Sequence, residues 1–180
     1  YDYDWGKRGY DLLSPEIQAS QPGRLLKEKL DNLSHTVVGA TFPTFAVQDA
    51  KGNMVDLKFG DGKVYVIDFW ASWCRPCRAS FPEMKKLYAE YHKKGVEILG
   101  ITNDSRKTDW LKALEEDNLP WLQVIDEYPI RNTPAKVATL YAIPYLPTLM
   151  LIDPDGKIVG KAKDKHELKT WLDERLANKK

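Results

Sequence analysis

The apolar positions divide the chain into two regions. In residues 1–37 the first ten positions carry aromatic side chains among charges and show no clear period. Ser14 and Ser20 each stand just before a proline-containing stretch, which is typical of helix starts with Ser as N-cap. Farther on, leucines recur at near-helical spacing with charges on the other face, at Leu25, Leu26, Leu30 and Leu33. We expect residues 1–37 to be an N-terminal extension or linker helix, a remnant of a longer chain.

Residues 38–180 alternate between strand and helix patterns. The run from Val64 to Trp70 is almost continuously apolar, which favours a central strand covered on both faces. A helix is predicted from about 75 to 93, with its buried stripe at Cys77, Phe81, Met84, Tyr88 and Tyr91. The order after a first hairpin is β-α-β-α, then a second β-hairpin, then α. This order predicts one domain, an α/β sandwich whose central strands include a parallel pair.

Composition and charge narrow the function classes. The chain has 180 residues, with 27 Lys and Arg against 26 Asp and Glu, so its formal net charge is +1. Such a balance argues against binding nucleic acid by phosphate neutralisation and gives no reason for attraction to an anionic membrane. No run of 18 apolar residues is present, so we expect no membrane insertion of this fragment. Since the chain starts at Tyr1 without a Met or a signal-like segment, we expect a processed or excised piece.

The two cysteines, Cys74 and Cys77, carry the strongest chemical signal. They are too few for a disulfide framework, and the histidines fit no zinc-ligand spacing with them. The pair follows a predicted buried strand and opens a helix, which is the setting of a dithiol redox motif. At a helix N-terminus, unpaired N–H groups and the dipole favour the thiolate, the attacking form.

Neighbouring residues support that chemistry. Arg75 and Arg78 add positive charge beside the pair, and Pro76 suits the first helical turn. Two buried inert thiols remain an alternative, but we expect the cysteines at this helix start to be exposed. A structural disulfide closing so short a loop would add little stability.

The residues around the pair resemble the thioredoxin superfamily. The segment from Asp68 to Cys77 matches its active-site signature, and Tyr145-Leu146-Pro147-Thr148 resembles the second signature, a cis-proline before a strand. The segments 38–45 and 151–159 and the insert between Trp121 and Tyr141 are similar to TlpA/ResA-like thiol–disulfide oxidoreductases, including C-terminal redox domains of Bacteroidetes-type envelope proteins. The resemblance implies a thioredoxin-like three-layer α/β sandwich with a central mixed sheet and an N-terminal hairpin.

The resemblance also implies roles for single residues. Cys74 would be the nucleophile, Cys77 would resolve the mixed disulfide, and the buried Asp68 would handle the proton of Cys77. Pro147 would shape a substrate groove, with Leu146, Trp73, Arg75 and Pro76 as supporting residues. The chain departs from many TlpA-like relatives, which carry Asn at the place of Asp68, Glu at the place of Ser80, and a smaller residue at the place of Leu146.

The function expected from the resemblance is dithiol–disulfide exchange on protein substrates. We expect a monomeric reductant of the periplasm or cell envelope that is recharged by an upstream electron donor, with the Cys74–Cys77 disulfide as its redox centre and no added cofactor or metal. A peroxiredoxin-type peroxidase shares the fold but needs Thr or Ser and an upstream Pro where this chain has Ala71 and Ile67. A non-catalytic binding module of thioredoxin fold is a further alternative. Copper delivery is disfavoured because it usually needs a wider cysteine spacing.

Overall fold

The computed structural model describes residues 3–128, 135–143 and 145–177. Three helices precede the sheet, at α1 (Tyr3–Asp11), α2 (Pro15–Ala19) and α3 (Gln21–Ser34). The strands are β1 (Phe45–Asp49), β2 (Met54–Leu57), β3 (Val64–Trp70), β4 (Val96–Thr102), β5 (Leu122–Ile125), β6 (Thr148–Ile152) and β7 (Ile158–Ala162). The later helices are α4 (Arg75–Tyr91), α5 (Lys107–Asp117), α6 (Lys136–Leu140) and α7 (Lys165–Ala177).

The strands form one mixed sheet in the order β2-β1-β5-β4-β3-β6-β7. The central strands β5, β4 and β3 are parallel, whereas β6 and β7 on one side and β1 and β2 on the other run antiparallel to their neighbours. Both β3 and β4 are buried over nearly their whole length, as their continuous apolar runs predict. The three-layer α/β sandwich with a central mixed sheet and an N-terminal hairpin is confirmed.

Two apolar clusters cover the faces of the sheet. On one face α4, α5 and α7 contribute side chains such as Phe81, Trp110 and Leu168. On the other face the aromatic residues Phe42 and Tyr141 stack at 4.3 Å between ring centroids. Because side chains alternate along β3, Asp68 lies on the face covered by α4, together with Val66 and Trp70.

Helix α4 begins and ends for reasons that the sequence contains. Cys74 is its N-cap, with a proline in the first turn, and a short 3₁₀ turn at His92–Lys94 leads to Gly95 in the left-handed region at φ 88°. The buried stripe differs from the predicted one by one residue. Leu87 is buried, whereas Tyr88 is only partly buried and contacts His92 and Trp121. A tyrosine at the edge of the stripe can bury its ring and still reach polar neighbours.

The N-terminal region contains a helix that the sequence pattern did not predict. Helices α2 and α3 begin at the predicted caps, where Ser14 and Ser20 accept backbone N–H groups. Helix α1 packs on α3, where the Leu30 side chain lies against Gly6. The linker then follows the edge of β7, with hydrogen bonds between Gly39 and Ile158 and between Phe42 and Gly156. It therefore covers a strand edge that would otherwise be open to pairing.

A membrane-spanning helix is not found among the described residues, none of whose helices combines sufficient length with sufficient apolarity.

Candidate active site

Cys74 and Cys77 lie at the start of α4, at the carboxyl end of β3. Their sulfurs form a disulfide, with 5.3 Å between the Cα atoms. Cys74 is the N-cap of α4, and its Sγ accepts the backbone N–H of Cys77 at 3.3 Å. Unpaired N–H groups of a first helical turn favour negative charge, so this position would stabilise a Cys74 thiolate in the reduced protein.

The expected exposure of the cysteines is wrong. Cys74 is only 4% exposed and Cys77 is fully buried, and both belong to the apolar cluster beneath α4. A turn before the helix, closed by the Cys74 N–H donating to the Ala71 carbonyl at 3.0 Å, directs the chain inward here. The neighbouring Trp73 points outward and is 66% exposed, so the contact surface at this position is the indole.

The two arginines near the pair differ in their surroundings. Arg75 is exposed on the first turn of α4. Arg78 donates to Asp117 through Nε at 2.7 Å and to Glu116 through a terminal nitrogen at 2.8 Å. Its charge is thus compensated by two carboxylates of α5. The prediction that Arg78 adds net positive charge beside Cys74 is therefore wrong, and Arg75 remains as the cation beside the pair.

Asp68 is buried beneath the site. It lies on β3 opposite Gly100 of β4 and Leu149 of β6, and only 2% of it is exposed. Burial raises the pKa of its carboxyl to about 7, because a charged carboxylate is poorly solvated there. No hydrogen bond to this carboxyl is formed within the described residues. Asp68 therefore changes protonation near neutral pH, which suits a group that exchanges protons with a thiol.

Pro147 closes the site on the β6 side. The Leu146–Pro147 peptide bond is cis, as the resemblance implies. The following Thr148 donates its hydroxyl to the Tyr145 carbonyl at 2.7 Å, which holds the turn before β6. Tyr145 is 70% exposed, whereas Leu146 is partly buried against both apolar clusters. The larger Leu146 side chain thus fills core space and leaves the aromatic Tyr145 at the surface.

A pocket of about 330 Å³ lies between the first turns of α4 and the cis-proline loop. Pro76 and Pro147 line it together with residues of α4, β6 and the end of β7. Its walls are largely apolar, and Lys163, Asp164 and Lys165 lie at one side. The pocket therefore brings together Pro76 and Pro147, two of the residues that the sequence assigned to a substrate groove.

Asp104 is a site residue that the sequence pattern did not identify. Its buried carboxylate accepts the Ser72 N–H at 2.8 Å, the Ser72 hydroxyl at 2.7 Å and the Thr102 hydroxyl at 2.6 Å. These bonds tie the end of β4 to the loop that leads into Cys74. The signal was available, since an acidic residue just after a buried parallel strand lies at the sheet edge where active sites form.

A metal site is not found at this position. Among the described residues, His, Cys, Asp and Glu form no group of three that could hold a metal ion. Ser80, which stands where many TlpA-like chains have Glu, donates its hydroxyl to the Cys77 carbonyl at 2.7 Å. Ser80 thus leaves Asp68 as the candidate carboxyl group for proton transfer. Asp68 is buried and forms no hydrogen bond within the described residues.

A family model described as AhpC/TSA family matches residues 38–161. The chain belongs to the AhpC/TSA family. Curated proteins that are similar in sequence to this chain carry the name thiol-disulfide oxidoreductase ResA. The ResA of Bacillus cereus is 35% identical over 124 residues, which are 69% of this chain and 68% of the relative.

Solved structures give the same result for this AhpC/TSA family member. The thioredoxin domain of a thiol-disulfide oxidoreductase from Bacteroides vulgatus superposes with a TM-score of 0.68 and 35% identity, over 77% of this chain and 96% of that one. A thiol-disulfide oxidoreductase from Bacteroides fragilis gives a TM-score of 0.65 and 32% identity, over 74% and 98% of the two chains. The protein is therefore an enzyme, a thiol–disulfide oxidoreductase of thioredoxin fold.

Proposed function

We propose that this enzyme reduces disulfide bonds of protein substrates with the Cys74–Cys77 dithiol, and that it does so in the cell envelope. The observation that carries the proposal is the position of the pair, which joins a helix N-terminus, a cis-proline loop and a buried carboxyl in one site. The helix N-terminus supports attack on the substrate, the buried carboxyl supports product release, and the cis-proline loop supports substrate binding.

The first step is attack on the substrate. The Cys74 thiolate attacks one sulfur of the substrate disulfide, a Cys74–substrate S–S bond forms, and the substrate S–S bond breaks. The leaving substrate sulfur departs as a thiolate and takes a proton from solvent. The amides at the start of α4 and the exposed Arg75 support the anionic form of Cys74 before attack.

The second step releases the product. The Cys77 thiol gives its proton to the Asp68 carboxylate and attacks Cys74, so the mixed disulfide breaks and the second substrate thiolate leaves. The enzyme ends as the Cys74–Cys77 disulfide, two electrons poorer, and the substrate disulfide has gained those two electrons. An upstream dithiol donor then reduces the enzyme again. A carboxyl with a pKa of about 7 can accept and return this proton near neutral pH.

The substrate groove in this proposal runs along Pro147. The exposed rings of Trp73, which precedes Cys74, and of Tyr145, two residues before Pro147, contact the substrate, and the pocket beside Pro76 receives an adjacent substrate side chain. Exposed aromatic rings offer large contact area at low conformational cost, which suits binding of an unfolded or extended segment. The proposal treats the enzyme as a monomer that needs no cofactor besides its disulfide.

The cell-envelope location rests on the resemblance to TlpA/ResA-like proteins. A fractionation experiment on the source cells with antibody to this chain tests it. Recovery in the envelope fraction is expected, and recovery only with the cytoplasmic markers would overturn it.

Trapping the mixed disulfide tests the proposed reaction. Reduced Cys77→Ser protein, mixed with an excess of oxidised insulin, should accumulate a covalent adduct through Cys74 that dithiothreitol releases. The matched Cys74→Ser protein should form no adduct and should not catalyse insulin reduction. An adduct on Cys77, or full insulin reduction by Cys74→Ser, would overturn the assignment of Cys74 as nucleophile.

A further inference from the structure

A buried carboxamide lies on the same face of the sheet as Asp68, one strand farther away. Gln123 on β5 is opposite Gly100 on β4, and Gly100 is opposite Asp68 on β3. Residues directly opposite each other in a sheet project from the same face. Asp68 and Gln123 therefore face α4 together, with Gly100 between them.

The absent side chain of Gly100 provides the space that Gln123 fills. A Cβ atom added to Gly100 would lie 2.2 Å from Oε1 and 2.5 Å from Nε2 of Gln123, which is far closer than real contacts allow. The carboxamide thus lies over Gly100 and extends toward β3. Since neighbouring strands are about 4.8 Å apart, this brings the amide to within about one strand spacing of the Asp68 backbone.

The oxygen of the carboxamide is hydrogen-bonded, whereas its nitrogen finds no partner among the described residues. Oε1 accepts the indole N–H of Trp70 at 3.0 Å, a bond that fixes the orientation of the amide. Nε2 is buried and finds no acceptor among the described residues, and Gln123 as a whole is 6% exposed. Buried donors are nearly always paired, so this N–H calls for an acceptor.

The buried Asp68 carboxyl lacks a hydrogen-bond donor among the described residues. Burial raises the pKa of this carboxyl, and no donor or cation of the described residues acts on it. The ionisable groups at this end of the sheet that the structure describes have partners of their own: Cys74 and Cys77 form the disulfide, Asp104 accepts from Ser72 and Thr102, and Arg78 of α4 pairs with Asp117 and Glu116 of α5. On β6 its partner is the apolar Leu149.

We propose that Gln123 is a positioning residue for proton transfer, whose Nε2–H binds the ionised carboxylate of Asp68, directly or through one water. The proposal rests on the proposed role of Asp68 in exchange. When Asp68 is neutral, the N–H has no strong acceptor; when Asp68 loses its proton, the N–H stabilises the charge. Gln123 thereby keeps Asp68 able to release a proton at the pH where the dithiol works, and Gly100 is the residue that permits it.

The test is the titration of Asp68 itself, followed by ¹³C NMR of its carboxyl carbon in the oxidised protein. Gln123→Met keeps the length and apolar volume of the side chain and removes the amide. The Asp68 pKa should therefore rise, and the midpoint of the titration should move up by about one pH unit. Gly100→Ala should act in the same direction, because the added methyl displaces the carboxamide. Trp121→Phe is the control, since it removes another buried N–H that lacks an acceptor in the described residues and should leave the Asp68 pKa unchanged.

An unchanged Asp68 pKa in Gln123→Met would overturn the proposal, as would an equal rise in Trp121→Phe. Should Gln123→Met fail to fold by circular dichroism, Gly100→Ala decides in the same way. This titration uses the oxidised protein and needs no substrate. It is therefore independent of the insulin trap, and a failed trap would overturn the proposed function while leaving the link between Gln123 and Asp68 measurable.

Discussion

The burial of Asp68 makes the stability of the protein depend on pH. The pKa of the Asp68 carboxyl is about 7 in the folded protein and near its ordinary value of 3.8 when unfolded. Between these values the folded state holds a proton that the unfolded state has released, so the free energy of unfolding falls as pH rises from about 4 to about 7 and is level above. The full change amounts to about 4 kcal/mol at most.

We expect Asp68→Asn to remove most of this pH dependence. Urea unfolding of the oxidised protein at pH 5, 6, 7 and 8 should show, for the native sequence, a free energy of unfolding that falls up to about pH 7 and then levels off, and a nearly flat one for Asp68→Asn. The same slope in both proteins would mean that another group titrates in this range. Insulin reduction by Asp68→Asn should also be slower, because Cys77 loses its proton acceptor.

Asp104 is the residue that holds the loop before Cys74. Asp104→Asn keeps the shape but replaces one of the two acceptor oxygens by an NH₂ group that cannot accept. At least one of the bonds from Ser72 and Thr102 is then lost, so the free energy of unfolding should fall by about 1–3 kcal/mol. Insulin reduction should slow as well, since the loop no longer fixes Cys74. Ser72→Ala removes one of the three bonds and should cost less. Equal stability of Asp104→Asn and the native sequence would contradict this account.

Among the elements, α4 and α5 are joined by a partly buried ion pair. Arg78→Met should lower the free energy of unfolding by about 1 kcal/mol, because the partly buried Arg78 bonds the partly buried Asp117 as well as the more exposed Glu116. The control is Arg106→Met, whose pair with Asp109 is well exposed and should contribute almost nothing.

Charge changes on α4 also test the electrostatics of the site. Arg78→Met alone would leave two carboxylates of α5 unpaired, so the matched variant combines Arg78→Met with Asp117→Asn and removes one positive and one negative charge. This double variant should leave the pH profile of Cys74 alkylation in the reduced protein nearly unchanged, whereas Arg75→Gln should move it to higher pH. A large change in the profile with the double variant and none with Arg75→Gln would show that the cation beside Cys74 has been misidentified.

Elements with a strong period were predictable, and those without one were not. Helix α4 and strands β3 and β4 follow from runs of apolar residues, a cap and Gly95. No residue of helix α1 is fully buried, and its half-buried side consists of Tyr3, Gly6 and Tyr10, which is too short and too weakly apolar to be recognised as a stripe in the sequence. The helix is stabilised by packing on α3. Tyr88 and Leu87 were exchanged in the predicted stripe because helical spacing alone cannot separate neighbours at its edge.

The candidate site was predictable only where a motif marks it. Cys74, Cys77, Asp68 and Pro147 follow from short sequence signatures. Asp104 and Gln123 act through side chains brought in by neighbouring strands, and the pairing register that places them is not written in any local motif. The burial of the cysteines was missed for the same reason, since it depends on how the loop before α4 folds against the sheet.

The division of the whole molecule into residues 1–37 and 38–180 stays a prediction with a direct test. Protein lacking residues 1–37 keeps the linker segment that covers β7 and should fold, with insulin reduction within about twofold of the full chain, because no residue of the site lies in α1, α2 or α3. Loss of folding or of most activity would show that these helices belong to the redox unit.

The central claim is that Cys74 and Cys77 form a reversible two-electron centre that works as a reductant. Titration of the dithiol in dithiothreitol redox buffers, followed by alkylation and mass measurement, tests it most directly. The account predicts a single two-electron transition near the thioredoxin value of about −270 mV. A potential near about −120 mV would make the enzyme an oxidant, and the absence of any reversible transition would contradict the account as a whole.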